Sequence, residues 1–286
     1  MKRFLLLLGT LVALVSLTQA QYTPAFRVDV IGQGQPIILI PGYSCSGAVW
    51  KETVDQLKGR YECHVVTLAG FAGVPAIESP ILETVKNELI AYTREQQLSK
   101  PILIGHSLGA FMSLWLSSEA PELFGKVIAV DGVPFISSMF NPAMTADSMR
   151  RNPQLDPELV VRNFKSLPSE GFIERTAQAM LYQVNDTARA RQIATWQFES
   201  DRSTLGLTLI EISTTDLRKA ISRIQAPVLV LGSIYNNKET SERILGQQYA
   251  AVPHKTIKIA DSKHFIMYDQ AKWFYQEISA FLTENE

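Results

Sequence analysis

The run Pro101-Ile102-Leu103-Ile104-Gly105-His106-Ser107-Leu108-Gly109 joins four residues of buried-strand type to a serine flanked by glycines. Behind it, Ala110-Phe111-Met112-Ser113-Leu114-Trp115-Leu116 continues with helix-compatible apolar spacing. A strand that turns sharply into a helix needs glycines on both sides of the turn, where side chains would clash. Such a turn leaves the serine oxygen exposed at the sheet edge, and helix onset sets the Leu108 amide beside it. Gly-x-Ser-x-Gly arises by chance in on the order of a tenth of chains this long, so the string alone decides nothing. The strand before it and the helix after it favour a nucleophile elbow over a plain strand-to-helix turn.

The chain has 286 residues, 46% hydrophobic and 19% charged, with a net charge of −1. That is ordinary globular composition for one large domain or a domain with an insertion. No basic run or aromatic-interleaved basic stripe is present, which removes the electrostatic footprint of a nucleic-acid partner. At the N-terminus, Lys2-Arg3 precedes the fourteen-residue run Phe4 to Leu17, followed by Thr18-Gln19-Ala20. This pattern predicts a signal peptide over residues 1–20 and a secreted or periplasmic protein beginning at Gln21. The competing reading is a membrane anchor, for which the run falls short of the roughly 20 residues that span a bilayer. No cysteine follows the cleavage site, which argues against a lipid anchor.

Export would place Cys45 and Cys63 in an oxidising space. They are expected to stay unpaired. Cys63 opens the strand Cys63-His64-Val65-Val66-Thr67-Leu68, whereas Cys45 lies beyond the end of the strand Pro36 to Ile40. If those strands are parallel neighbours, the thiols sit at opposite ends, beyond the roughly 7 Å Cα separation a disulfide tolerates.

Outward from the elbow, strands and helices alternate. Phe26 to Ile31 and Ile37 to Ile40, separated by Gly32-Gln33-Gly34-Gln35-Pro36, read as a hairpin. A helix follows near Ala48 to Lys58, a strand at 63–68, and a helix from Pro80, a residue suited to a first helical position, to about Gln97. Lys126 to Val130 reads as a strand ending at Asp131-Gly132, Pro227 to Leu231 as another ending at Gly232, and Thr256 to Ile259 as the last. Short apolar runs separated by helices predict a mostly parallel sheet covered on both faces. From Pro134 to Arg218 the alternation stops and no strand-like run appears. That stretch reads as several helices inserted between two late core strands, too polar for core and too patterned for a disordered linker. The expected division is a signal peptide at 1–20, a core at 21–133 and 219–286, and a helical cap at 134–218.

Pro41-Gly42-Tyr43 after an early strand, Trp50 downstream, the Gly105 to Gly109 elbow, the inserted helices and Lys263-His264-Phe265 together resemble an α/β-hydrolase fold with a helical cap. The resemblance spans nearly all of the chain beyond residue 20. It implies nucleophile, acid and base in that order along the sequence. Of the four histidines, His64 and His254 stand at strand starts, away from the carboxyl ends where catalytic groups gather. His106, inside the elbow, is directed into the loops around the serine and is a candidate substrate-binding residue. His264, five residues past the last strand, is the expected general base.

Many family members carry the acid after the strand that here ends at Leu231. This chain offers Gly232-Ser233-Ile234-Tyr235-Asn236-Asn237 there, with no carboxylate before Glu239. The remaining family position is the end of the preceding strand, where Asp131 stands, although Asp-Gly is also common turn chemistry. Asn236 is the alternative partner for the imidazole, but it would leave a developing imidazolium without a compensating charge. Asp261 reads as a loop cap. The resemblance assigns the oxyanion hole to the backbone amides of Tyr43 and Leu108. Tyr43 and Trp50 are also candidates for an acyl pocket, with ordinary packing as the competing reading.

Together these residues imply a serine hydrolase working by acyl transfer: Ser107 as nucleophile, His264 as base and Asp131 as acid. From Pro134 to Arg218 there are nine Lys or Arg and ten Asp or Glu, so no strongly charged substrate is demanded. Carboxylic esters with small or medium apolar acyl groups are the expected substrates. A peptidase, thioesterase or lactonase would use the same triad, and a catalytically silent binding protein of this fold is the reading from another class. No metal or cofactor is expected, since no cluster has ligand spacing. The partner implied is a small-molecule substrate, and the sequence gives no oligomeric state.

Overall fold

The computed structural model describes residues 23–283. The signal peptide expected at 1–20 lies outside the described residues. Seven strands form one sheet: β1 Phe26–Gly32, β2 Gln35–Ile40, β3 Tyr61–Leu68, β4 Ile102–His106, β5 Val127–Val130, β6 Val228–Gly232 and β7 Lys255–Ile259. Three helices lie between β2 and the end of the elbow segment: α1 Lys51–Leu57, α2 Ile81–Glu95 and α3 Leu108–Glu119. Between β5 and β6 come α4 Ala146–Arg150, α5 Pro157–Lys165, α6 Phe172–Met180, α7 Thr187–Glu199 and α8 Arg202–Thr214. After β6 come α9 Lys238–Gln248, α10 Ile266–Asp269 and α11 Ala271–Thr283.

The sheet order is β1-β3-β2-β4-β5-β6-β7, parallel throughout except for β1. The expected β1–β2 hairpin does not form. β1 pairs antiparallel with β3, Phe26 opposite Leu68, and β3 separates it from β2. Burial explains the outcome: Ile37 to Ile40 are fully buried, so β2 takes a neighbour on each edge, whereas β1 is largely exposed and suits the sheet margin. The connection passes the start of β3 through Gly32 (φ +90°) and Gly34 (φ +121°). A Cβ there would lie 2.4 Å from the Tyr61 carbonyl and 2.2 Å from that of Arg60, respectively. Only glycine fits both the backbone angle and the space.

Alternation along the strands divides the core in two. Ile38, Ile40, Val66, Leu103, Ala129 and Val230 face α2 and α3, meeting Val85, Leu89, Phe111 and Leu114. Ile37, Leu39, Val65, Ile104, Ile128 and Leu231 belong to the opposite cluster, with Val54, Leu57, Phe274 and Ile278 from α1 and α11. Burial of each Val, Leu, Ile or Phe side chain among these contributes about 1.5–3 kcal/mol. Trp50 belongs to this second cluster and is fully buried. Cys45 and Cys63 are free, as expected, and buried in the same cluster, where burial pushes their thiols up to about 12 and about 11. Such thiols are poor nucleophiles at neutral pH. Pro80 occupies the cap position of α2 rather than its first turn, so the helix begins one residue later than expected.

The helices between β5 and β6 are tied to the core by charge. Arg189 of α7 pairs with Glu52 of α1, and its guanidinium lies 4.4 Å from the Tyr268 ring centroid. Glu211 of α8 accepts the Ile81 and Leu82 amides at 2.8 and 2.7 Å and the Ser79 hydroxyl at 3.0 Å. It thus supplies α2 with the N-terminal acceptor that Pro80 lacks. Glu211→Ala is expected to lower unfolding free energy by about 1–2 kcal/mol. A urea titration checks this, and an unchanged midpoint would show that the cap contributes nothing.

Candidate active site

Ser107 stands between β4 and α3 with φ +54° and ψ −114°, a left-side backbone angle that costs a residue with a side chain about 1–3 kcal/mol. Its neighbours hold it there. A Cβ on Gly105 would lie 2.0 Å from the Gly109 carbonyl oxygen, and one on Gly109 would lie 2.0 Å from that of Ile40. The two glycines therefore let the chain fold back on itself and let α3 approach β2. The Ser107 amide donates to the Val130 carbonyl at 2.8 Å, fixing the turn to β5. Leu108 is the first residue of α3, so its amide has no carbonyl four residues back to receive it.

The register places the next residues at the same edge. His106 pairs with Val130, and Val130 with Leu231, so Ser107 and Asp131, just past β4 and β5, fall level with Gly232, the last residue of β6. Asp131 has φ +44°, and its side chain is 1% exposed. Its Oδ2 accepts from His264 Nδ1 at 2.6 Å and Ser233 Oγ at 2.9 Å. Its Oδ1 accepts from the Ser233 amide at 2.7 Å and Tyr235 Oη at 3.1 Å. A carboxylate offers only acceptors, so the His264 proton sits on Nδ1 and Nε2 keeps a lone pair. Burial, then the charge of Asp131, pushes the Tyr235 phenol well above its usual range and keeps it a donor.

His264 lies in the loop between β7 and α10, with its side chain 26% exposed. Its carbonyl accepts from His106 Nε2 at 3.1 Å, and the two rings lie 4.5 Å apart. His106 borders the cavity, yet it is buried, and both ring nitrogens are turned to protein: Nε2 to that carbonyl, Nδ1 without a partner and 2.8 Å from where a Gly42 Cβ would be. Burial, then the charge of His264, lowers its pKa well below the ordinary histidine value, so it stays neutral. The structure thus makes His106 a floor under His264, and its polar atoms do not reach the cavity as a substrate-binding role requires. Phe265 completes the floor, its ring 4.6 Å from that of His106.

Ser107, Leu108, Tyr43, Asp131 and His264 line one cavity of about 690 Å³. Ser107 Oγ makes no hydrogen bond among the described residues, although the serine and the imidazole line the same cavity. Such contacts commonly tighten when substrate binds. Tyr43 donates its hydroxyl to the Leu205 carbonyl at 2.7 Å, anchoring α8 over the site. Trp50 does not line the cavity, which overturns its expected pocket role: the helical turn Gly47–Trp50 directs it into the core behind β2. Asn236 is not a partner of either residue of the His264–Asp131 pair, and Asn237 caps α9. Asp261 offers its carbonyl to Gln270 at 2.8 Å. His64 is not at a strand start, because β3 begins at Tyr61 and places it inside the strand, where Tyr92 and Glu62 hold its ring, and the His254 carbonyl pairs with the Val228 amide.

Ser233 and Tyr235 escape sequence reasoning because neither is a triad residue type at that position. The signal is their place: directly after β6, where a carboxylate would otherwise stand. Among the described residues no group of three His, Cys, Asp or Glu side chains is placed to hold a metal ion.

The profile of the alpha/beta hydrolase family matches residues 37–277. The pimeloyl-[acyl-carrier protein] methyl ester esterase of Vibrio cholerae is 25% identical over 270 residues, covering 92% of this chain and 95% of that protein. Among solved structures, an esterase from Exiguobacterium antarcticum superposes with a TM-score of 0.73 at 14% identity, covering 90% of this chain and 94% of that one. The enol-lactonase from Burkholderia xenovorans gives 0.71 at 16% identity, covering 90% and 96%. At such identities the structural likeness establishes the fold. The family profile, running from β2 into α11, goes further: this chain belongs to the alpha/beta hydrolase family.

Proposed function

We propose that this hydrolase cleaves carboxylic esters of small or medium apolar acyl groups, with Ser107 as nucleophile, His264 as base and Asp131 as acid. The observation that carries this is the 2.6 Å contact of Asp131 Oδ2 with His264 Nδ1, at the edge of the cavity that Ser107 lines. Ser107 Oγ attacks the ester carbonyl while His264 Nε2 takes its proton. The amides of Leu108 and Tyr43 receive the oxyanion, and Asp131 stabilises the imidazolium. His264 then gives its proton to the leaving alcohol oxygen, and water, deprotonated by the same imidazole, releases the acid and restores Ser107.

The cavity supports the substrate class. Val133, Ile136, Met139, Phe140, Met180 and Leu209 contribute apolar wall. Lys263 is the sole Lys or Arg among the lining residues, and its ammonium is bound to the Leu181 carbonyl. It is a single cation in a wall that is otherwise mainly apolar. The ester-cleaving relatives are consistent with this reading. A peptidase, thioesterase or lactonase would share the triad. A silent binding protein of this fold would need no acid beside the imidazole, and the Asp131 contact with His264 weighs against that reading.

Purified protein is expected to hydrolyse short-chain chromogenic esters, with Ser107→Ala and His264→Ala each lowering kcat by about 10³-fold or more and Asp131→Asn by about 10²–10⁴-fold. Full activity in Ser107→Ala would end this assignment. In a substrate series, neutral acyl esters are expected to exceed equally long esters with a terminal carboxylate by about tenfold or more in kcat/KM, since a carboxylate set against the apolar wall would lose its hydration. Equal values would contradict the apolar pocket. We further propose export, from Lys2-Arg3 and the apolar run Phe4 to Leu17. N-terminal sequencing of protein recovered from the periplasm or medium is expected to begin at Gln21, and a start at Met1 would overturn cleavage.

A further inference from the structure

The loop after β6 carries two hydroxyl residues whose donors converge on a single carboxylate. Ser233 is buried and gives Asp131 both its amide and its hydroxyl, one to each oxygen. Tyr235 reaches the same Oδ1 with its phenol. With His264, the donors fill all four lone-pair positions a carboxylate presents. The loop is itself held: the Ile234 amide donates to the Ser262 carbonyl at 3.2 Å, and the Tyr235 amide to the Oγ of fully buried Ser241 at 2.9 Å. The first of these contacts ties the loop to the segment that carries His264.

We propose that Ser233 and Tyr235 are positioning residues that lock the plane of the Asp131 carboxylate, so that Oδ2 alone addresses His264; the assignment rests on the triad reading of the same site. The geometry explains the need. Asp131 hangs from a strand end two places away from β7 in the sheet, and its side chain could rotate about its two torsions. Donors on both oxygens hold the carboxylate plane. A carboxylate on the β6 loop would place a second negative charge beside Asp131, whereas neutral hydroxyls stabilise its charge. Tyr235 also lines the cavity, so the test must separate aim of the imidazole from contact with substrate.

Kinetics of full-length variants on a short-chain chromogenic ester, with proton NMR of the His264 Nδ1 hydrogen, make that separation. Tyr235→Phe and Ser233→Ala are each expected to lower kcat about tenfold with KM changed less than about twofold. In an Asp131→Asn background, Tyr235→Phe is expected to lower kcat by less than about twofold, because its effect runs through the carboxylate. The downfield Nδ1 proton is expected to shift in Tyr235→Phe and stay in place in Tyr249→Phe, whose hydroxyl donates to the Gly132 carbonyl at 2.7 Å instead. A rise in KM alone, a tenfold loss that persists in the Asp131→Asn background, or an unmoved proton in Tyr235→Phe would overturn the proposal. The NMR arm needs no turnover. If the wild type cleaves no ester, the function reading fails while the proton shift still decides whether Tyr235 and Asp131 are coupled.

Discussion

The close passage of the chain at Gly105 and Gly109 is the constraint on which the site depends. No residue with a Cβ fits between the strand end and the first turn of α3, or between α3 and the Ile40 carbonyl. The approach sets Ser107 at φ +54°, turns the free Leu108 amide to the same edge, and lets the Ser107 amide bind the Val130 carbonyl. Everything downstream is register. Because β4, β5 and β6 run parallel in step, the residues just past His106, Val130 and Leu231 fall side by side. Helices packed on both faces hold that register, since a slip by one residue would turn every strand side chain into the opposite cluster and disrupt the packing of both.

Electrostatics then sorts the polar groups at that edge. Asp131 sits where water does not reach, with a donor for each lone pair, so its charge is held by fixed dipoles that need no reorganisation. His106 lies nearby and is kept neutral by its burial, which avoids a second cation against the imidazole that, in the proposed mechanism, becomes charged. Two of the proposed catalytic residues, Ser107 and Asp131, have positive φ. Such angles persist only where the surroundings determine them, and here the glycine contacts and the sheet do so.

Much of this was legible in the residues. The elbow, the alternation of strands and helices, the helical stretch between two late strands and the pairing of His264 with Asp131 follow from motif, period and order. The partner of β1 did not follow, because an alternating strand before a glycine-rich turn has the local signature of a hairpin. Only the two-sided burial of β2, a property of the assembled sheet, puts β3 between them. Trp50 was misplaced for a related reason: spacing from Gly42 is readable, but which side of the sheet a short helical turn faces is not. Ser233 and Tyr235 left only an indirect trace, the absence of a carboxylate after β6, since hydroxyl residues in a loop look like ordinary turn chemistry.

Intact-protein mass spectrometry after reaction with an alkyl fluorophosphonate tests the central claim most directly, because that reagent needs an activated serine and no knowledge of the substrate. The account predicts one adduct per chain, mapped to the peptide containing Ser107, and loss of labelling in His264→Ala protein that remains folded. An adduct on another serine, or none on folded wild type, would contradict it.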